Sequence, residues 1–96
     1  MPLDVFVRFE AKPGKQDQLR EELTLPLEPT RADPGCTGIH LYESTRDHPT
    51  FFIHSNWIDD TAFDAHAKLS HMKRFLGLVN ELITHPLQAI RTKRIG

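Results

Sequence analysis

Between Phe51 and Phe75 the chain reads FFIHSNWIDDTAFDAHAKLSHMKRF, and the period of its hydrophobic pattern changes part-way along. Through Ile58 the segment alternates and is rich in aromatics, the signature of a half-buried strand. From Asp59 the period is helical, and Asp59-Asp60-Thr61 supplies oxygens for the free N–H groups of a first helical turn. Strand and helix meet without a linker, so both have to cover one core. The only tryptophan, Trp57, therefore sits beside a helix mouth, with His66 and then His71 further along the helix. The arrangement suits the floor and wall of a pocket for a flat organic ligand. It also describes an ordinary core.

The remaining segments supply partners for this unit. Leu3 to Ala11 alternates Val5, Val7 and Phe9 against Phe6, Arg8 and Glu10, which predicts a strand that ends at Pro13-Gly14. Leu19, Leu23 and Leu27 then recur at helical spacing. Pro26 and Pro29 lack the N–H that would bond back along that helix, so a kink or frayed end is expected after about Leu25. Asp33-Pro34-Gly35 is a turn, Thr37 to Ser44 a second strand, and Thr45 to Thr50 the loop of an antiparallel hairpin. Met72, Phe75, Leu76, Val79, Leu82 and Ile83 mark a helix stopped by His85-Pro86, and a break near Ser70 separates it from the His66 helix or leaves the two continuous. Leu87 to Ile95 offers a last strand.

The order strand, helix, strand, strand, helix, strand predicts an α+β fold on the ferredoxin-like split β-α-β plan (βαββαβ), with helices on one face of an antiparallel sheet. Residues 1–96 read as a single domain. The odd strand positions (Val5, Val7, Phe9, Ile39, Leu41, Phe51, Ile53, Trp57, Leu87, Ala89) are the more apolar and should meet the helices. The even positions (Phe6, Arg8, His40, Tyr42, Phe52, His54, Asn56, Ile90) fall on the open face, where Phe6, Tyr42 and Phe52 would stand in water unless a partner covers them. A slip of one residue in the hairpin would invert these faces.

Composition excludes several functions. Twelve basic against 13 acidic side chains give a formal net charge of -1, without the clustered basic face that nucleic acid requires. Arg91, Lys93 and Arg94 form a small basic tail that reads as solvated. The lone Cys36 reads as a small buried hydrophobe and cannot form an internal disulfide. The chain shows no long apolar span and no leader pattern, so a cytoplasmic protein with no membrane partner is expected.

In the order and spacing of several short segments the chain resembles the antibiotic-biosynthesis-monooxygenase family of the dimeric α+β barrel superfamily. The segments are Pro13-Gly14, Asp33-Pro34-Gly35-Cys36, Thr50-Phe51, Trp57, Phe63-Asp64-Ala65-His66 and Ser70-His71-Met72-Lys73-Arg74-Phe75. The resemblance implies a homodimer whose two sheets close into a barrel, with a ligand pocket between sheet and helices in each subunit. For some relatives it implies oxygenation of polycyclic phenols or quinols by O2 without metal or flavin. Other relatives degrade haem, isomerise a phosphorylated sugar or have no known activity. Family members often carry an acidic residue where this chain has Ser55, and many carry a Tyr where it has Ile39. The first strand lacks the Asn of haem-degrading relatives, so haem cleavage is not expected.

Triplet O2 reacts slowly with closed-shell organics, but an electron-rich substrate anion can reduce it directly. An enzyme working this way needs a base and a dry pocket, and no cofactor. His66 is the first candidate base and His71 the second, because imidazole titrates near physiological pH. Trp57 would stack on a small aromatic or quinone-like substrate, Ser55 would bond one of its oxygens, and Phe63 and Leu41 would add apolar contact. Each has a structural alternative: His66 as a hydrogen-bonded core residue, His71 as a helix-junction residue, Trp57 as core. Metal binding is not expected: His66 and His71, five apart, would differ by about 500° on one helix and so miss a common face, and His40 with His54 lacks further ligands. Two functions outside oxygenation fit the same pattern. One is a non-catalytic dimeric ligand-binding or stress-associated protein. The other is an isomerase of a small phosphorylated carbonyl compound, which would need a cationic phosphate site built from Lys68, Lys73 or Arg74.

Overall fold

The computed structural model describes residues 1–96. Four strands, β1 (Leu3–Glu10), β2 (Cys36–Glu43), β3 (Thr50–Trp57) and β4 (Ala89–Thr92), form an antiparallel sheet in the order β2-β3-β1-β4. Between β1 and β2 lie α1 (Gln16–Thr24) and α2 (Leu27–Arg31), and between β3 and β4 lie α3 (Asp60–Ala67) and α4 (Ser70–Asn80). This is the ferredoxin-like plan with each helical leg divided in two, and within one chain the sheet is open.

Both divisions have local causes. Pro26 has no N–H to continue α1 and instead takes the N-cap position of α2, where Thr30 N–H donates to the Pro26 carbonyl at 3.0 Å. Asp59 caps α3 by accepting from Ala62 N–H at 2.8 Å, as the acidic run predicts. That helix ends at Ala67, and Leu69 turns extended (φ -64°, ψ 142°) before α4 begins.

The face assignment holds in every strand. β1 pairs with β3 as Val5↔Ser55, Val7↔Ile53 and Phe9↔Phe51, and β2 pairs with β3 as Ile39↔Ser55 and Leu41↔Ile53, so odd meets odd and the hairpin has not slipped. Phe9, Phe51, Ile39 and Ile53 are buried with Leu19, Leu23 and Val79 of the helices, and Leu3, Val5 and Trp57 form an adjoining cluster. Burying each large apolar side chain contributes roughly 1.5–3 kcal/mol. A bulge between Cys36 and Gly38 reverses the parity at the start of β2 and turns Cys36 toward Trp57.

On the open face Phe6, Tyr42, Phe52 and Ile90 are all more than a third exposed. Some of its polar groups find partners inside the chain: His54 and Asn56 both bond the Asp4 carboxylate, Phe6 stacks on His54 with centroids 4.4 Å apart, and Arg8 pairs with Glu10.

The C-terminal expectations need three corrections. The last helix stops at Asn80 rather than at His85-Pro86, and Leu82 and Ile83 are core anchors beyond it. β4 spans only Ala89–Thr92. Before Ala89 the far end of β1 is already engaged, since Thr84 N–H donates to the Glu10 carbonyl and Glu10 N–H to His85 Nε2, both at 3.0 Å, and after Thr92, which pairs with Asp4, β1 has reached its own start at Leu3. Arg91 is not simply solvated. It pairs with Asp60 and Asp64 of α3 at 2.9 and 2.6 Å and lies over the Phe63 ring, tying β4 to α3.

Candidate active site

The side chains of the odd face and the helices do not meet everywhere. Between them lies a cavity of about 190 Å³, bounded by Val5, Val7 and Phe9 of β1, Ile39 and Ile53 of the hairpin, Phe63 of α3, Met72, Phe75 and Leu76 of α4, and Leu87 and Ala89 near the last strand. Few polar side chains reach it: Ser55 from β3, His66 from α3 and Thr30 from α2. Neither lysine nor arginine lines it.

His66 is buried, and its Nδ1 lies 2.6 Å from Asp33 Oδ2. A carboxylate only accepts, so Nδ1–H donates to Asp33, and Nε2 is without a partner in the protein. Asp33 is held by its turn. Cys36 N–H donates to the Asp33 carbonyl at 3.1 Å, and Gly35, at φ +83°, carries the chain close beneath α3, where a Cβ would meet Ala62 Cβ at 2.5 Å. Ile58 N–H donates to the Gly35 carbonyl at 2.9 Å and locks the turn to the end of β3. The Asp-Pro-Gly sequence thus places a carboxylate against the ring of a histidine 33 residues away.

The structure separates the other candidates. Phe63 and Ser55 line the cavity beside His66. Trp57 does not. It is 1% exposed and stands behind them, its centroid 4.8 Å from that of His66 and 5.6 Å from that of Phe63, with its N–H donated to Ser55 Oγ at 3.0 Å. Its ring supports the wall and is not free to stack on a ligand. Leu41 packs on the main core and does not line the cavity. His71 is exposed in an outer groove with Glu22, Leu25 and Arg74, because the break at Leu69 resets the rotational phase of α4.

Asp33 and Thr30 were not singled out as site residues. The turn signal at Asp33 carried no hint of a distant partner, and Thr30 lies in a proline-interrupted helix. No three His, Cys, Asp or Glu side chains converge as metal ligands would. A shallow basin of about 910 Å³ lies on the open face around Asp4, Phe6, His54 and Arg94. The thiol of Cys36 is pushed above its ordinary value by burial, which keeps it protonated.

An α+β chain with an open antiparallel sheet, helices on one face and a cavity between the layers is the class defined by these features. The antibiotic biosynthesis monooxygenase family matches residues 2–77, and the chain belongs to that family. Among its relatives, Rv0793 of Mycobacterium tuberculosis, named as a candidate monooxygenase, is 33% identical over 86 residues, spanning 90% of this chain and 84% of its own. YcnE of Bacillus subtilis, named likewise, is 27% identical over 88% of this chain and 90% of its own. The solved structure of Rv0793 superposes with a TM-score of 0.92, covering 100% of this chain and 97% of that one at 29% identity. PA3566 of Pseudomonas aeruginosa gives 0.89 at 27% identity, covering 99% and 95%. Family and relatives together support a monooxygenase-like function. No helix is long and apolar enough to cross a membrane.

Proposed function

We propose that the chain is a cofactor-independent monooxygenase acting on a small phenol or quinol in the His66 cavity. The observation that carries this reading is the setting of His66: it lines an apolar cavity, one ring nitrogen is held by Asp33, and the other has no partner in the protein. In the proposed reaction Nε2 takes the substrate's phenolic proton. The resulting anion gives electrons to O2, one oxygen atom enters the ring, and the other leaves as water. For a hydroquinone the balance is hydroquinone plus O2 giving hydroxyquinone plus water. Asp33 fixes the ring and stabilises the imidazolium, and the apolar walls exclude water from the anion.

Cavity size narrows the substrate. A cavity of roughly 150 Å³ admits benzene, so about 190 Å³ suits one ring with small substituents and not three fused rings. The same size supports a second reading, a non-catalytic binder, because a cavity of about 190 Å³ is too small for the polycyclic phenols that oxygenating members of the family take. Oxygen uptake with single-ring hydroquinones, in EDTA, separates the two. Uptake that needs the protein and is lost in His66→Ala supports oxygenation. Binding without uptake supports the binder. An isomerase of phosphorylated carbonyl compounds is disfavoured by the lack of lysine or arginine in the lining.

The open face suits a second copy of the chain, since Phe6, Tyr42 and Phe52 would otherwise stay in water. A homodimer closing the two sheets into a barrel is therefore part of the proposal. Phe52→Glu should raise the monomer fraction in sedimentation equilibrium, and an unchanged monomeric wild type would reject it. A cytoplasmic location, where a lone thiol stays reduced, fits Cys36.

A further inference from the structure

Thr30 is 1% exposed, lines the cavity, and carries the one buried side-chain oxygen in the chain that has no hydrogen-bond partner. In a helix a threonine hydroxyl ordinarily back-bonds a carbonyl three or four residues earlier. Here neither Leu27 nor Pro26 serves it, although Thr30 N–H does bond the Pro26 carbonyl. Its backbone is otherwise fixed. Asp33 N–H donates to the Thr30 carbonyl at 3.0 Å, and the neighbouring Arg31 donates to the Ile39 carbonyl at 3.1 Å, which clamps α2 onto β2. A hydroxyl buried without a partner carries a desolvation penalty that valine, nearly the same shape, would avoid. A rotation of about 120° about Cα–Cβ moves the hydroxyl into the position of the methyl and the methyl into that of the hydrogen, and this hydroxyl gives up no protein bond in turning toward the cavity.

Two further unused groups share that cavity. Ser55 Oγ accepts from Trp57 and keeps its own proton to donate, and His66 Nε2 has no partner. Thr30, Ser55 and His66 come from a helix, a strand and another helix, so they border one apolar space from different sides. A ring bearing an oxygen satisfies such a set, and a plain hydrocarbon leaves all of it unpaired.

We propose that Thr30 is a specificity-determining contact of this site, whose hydroxyl bonds a ring oxygen of a single-ring hydroxylated aromatic. The proposal rests on the reading of the cavity as a site for such rings. It concerns recognition only, so it stands apart from whether oxygen is consumed.

The test compares phenol with toluene, which differ by a hydroxyl in place of a methyl, in protein-observed NMR titrations of wild type and Thr30→Val. Replacing the hydroxyl should weaken phenol about three- to tenfold, the effect of one hydrogen bond, and leave toluene within about twofold. The thermal midpoint of Thr30→Val should equal or exceed that of wild type, since an unpaired buried hydroxyl is removed. Equal weakening of both rings, no weakening of phenol, or a lowered thermal midpoint would overturn the assignment and leave the cavity reading intact. If neither ring binds wild type, the cavity reading fails and the assignment with it. Oxygen uptake, measured separately on His66→Ala, reports on the chemistry and not on Thr30.

Discussion

Removing the Asp33 carboxylate tests the geometry of the site most directly. The His66 and Asp33 side chains are 6% and 14% exposed and meet at 2.6 Å, so solvent screens little of their interaction. A hydrogen bond to a charged group contributes about 1.5–3 kcal/mol, and an unpaired buried donor costs a similar amount. Asp33→Ala should therefore destabilise the fold by about 2 kcal/mol. In a domain of this length each kcal/mol moves the midpoint by roughly 4–8 °C, so Tm should fall by on the order of 10 °C. Asp33→Asn retains a neutral acceptor and should lose about half as much. The assay is urea denaturation of Asp33→Ala, His66→Ala and the double variant, with 15N NMR of the imidazole to read its tautomer. The cycle should show a coupling above about 1 kcal/mol, and the Nδ1–H form should give way to Nε2–H in Asp33→Ala. Turnover, where present, should drop by on the order of a hundredfold. A coupling below about 0.5 kcal/mol, or an unchanged tautomer, would refute the assignment of Asp33 as the group that holds His66.

Gly35→Ala, with φ +83° and a Cβ 2.5 Å from Ala62 Cβ, should cost about 2–4 kcal/mol in denaturant unfolding and disturb His66, whereas Gly14→Ala, at φ +79° with open space around it, should cost only about 1–2 kcal/mol. Arg20 holds the Glu43 carboxyl below the usual range through two hydrogen bonds. A depressed carboxyl adds stability above its unfolded pKa and loses it as pH falls through its lower folded value. The denaturation midpoints of wild type and Arg20→Met should therefore converge below about pH 4, and also in concentrated salt. Because burial raises the Cys36 thiol, iodoacetamide should label it more slowly than free cysteine at neutral pH, with the rise in rate displaced above the ordinary thiol range of about 8.5.

How much of the molecule was legible in the chain depends on the range over which each property is set. Alternation along a strand is a local geometric fact, so the parity of Val5, Val7 and Phe9 against Phe6 and Arg8 sorted the two faces, and the observed pairs keep that parity. The missing N–H of Pro26 divides the first helical leg wherever it is packed, and the Asp59 carboxylate caps α3 from three residues away. The ends of β4 and α4 were less legible, because the Ile83–His85 segment competes for the edge of β1, and no local pattern reports a competitor 75 residues away, as His85 is from Glu10.

The sequence by itself determined the element order, the two faces of the sheet, the family and His66 as the leading candidate base. Only the tertiary structure decided which side chains converge. It brought Asp33 to His66, placed the Thr30 hydroxyl beside the cavity without a partner, set Trp57 behind the wall and turned His71 outward. The physical reason is that a period fixes the direction of a side chain relative to its own backbone. Convergence depends on the relative phase and position of different elements, and the turn at Gly35 and the break at Leu69 set those for Asp33 and for α4.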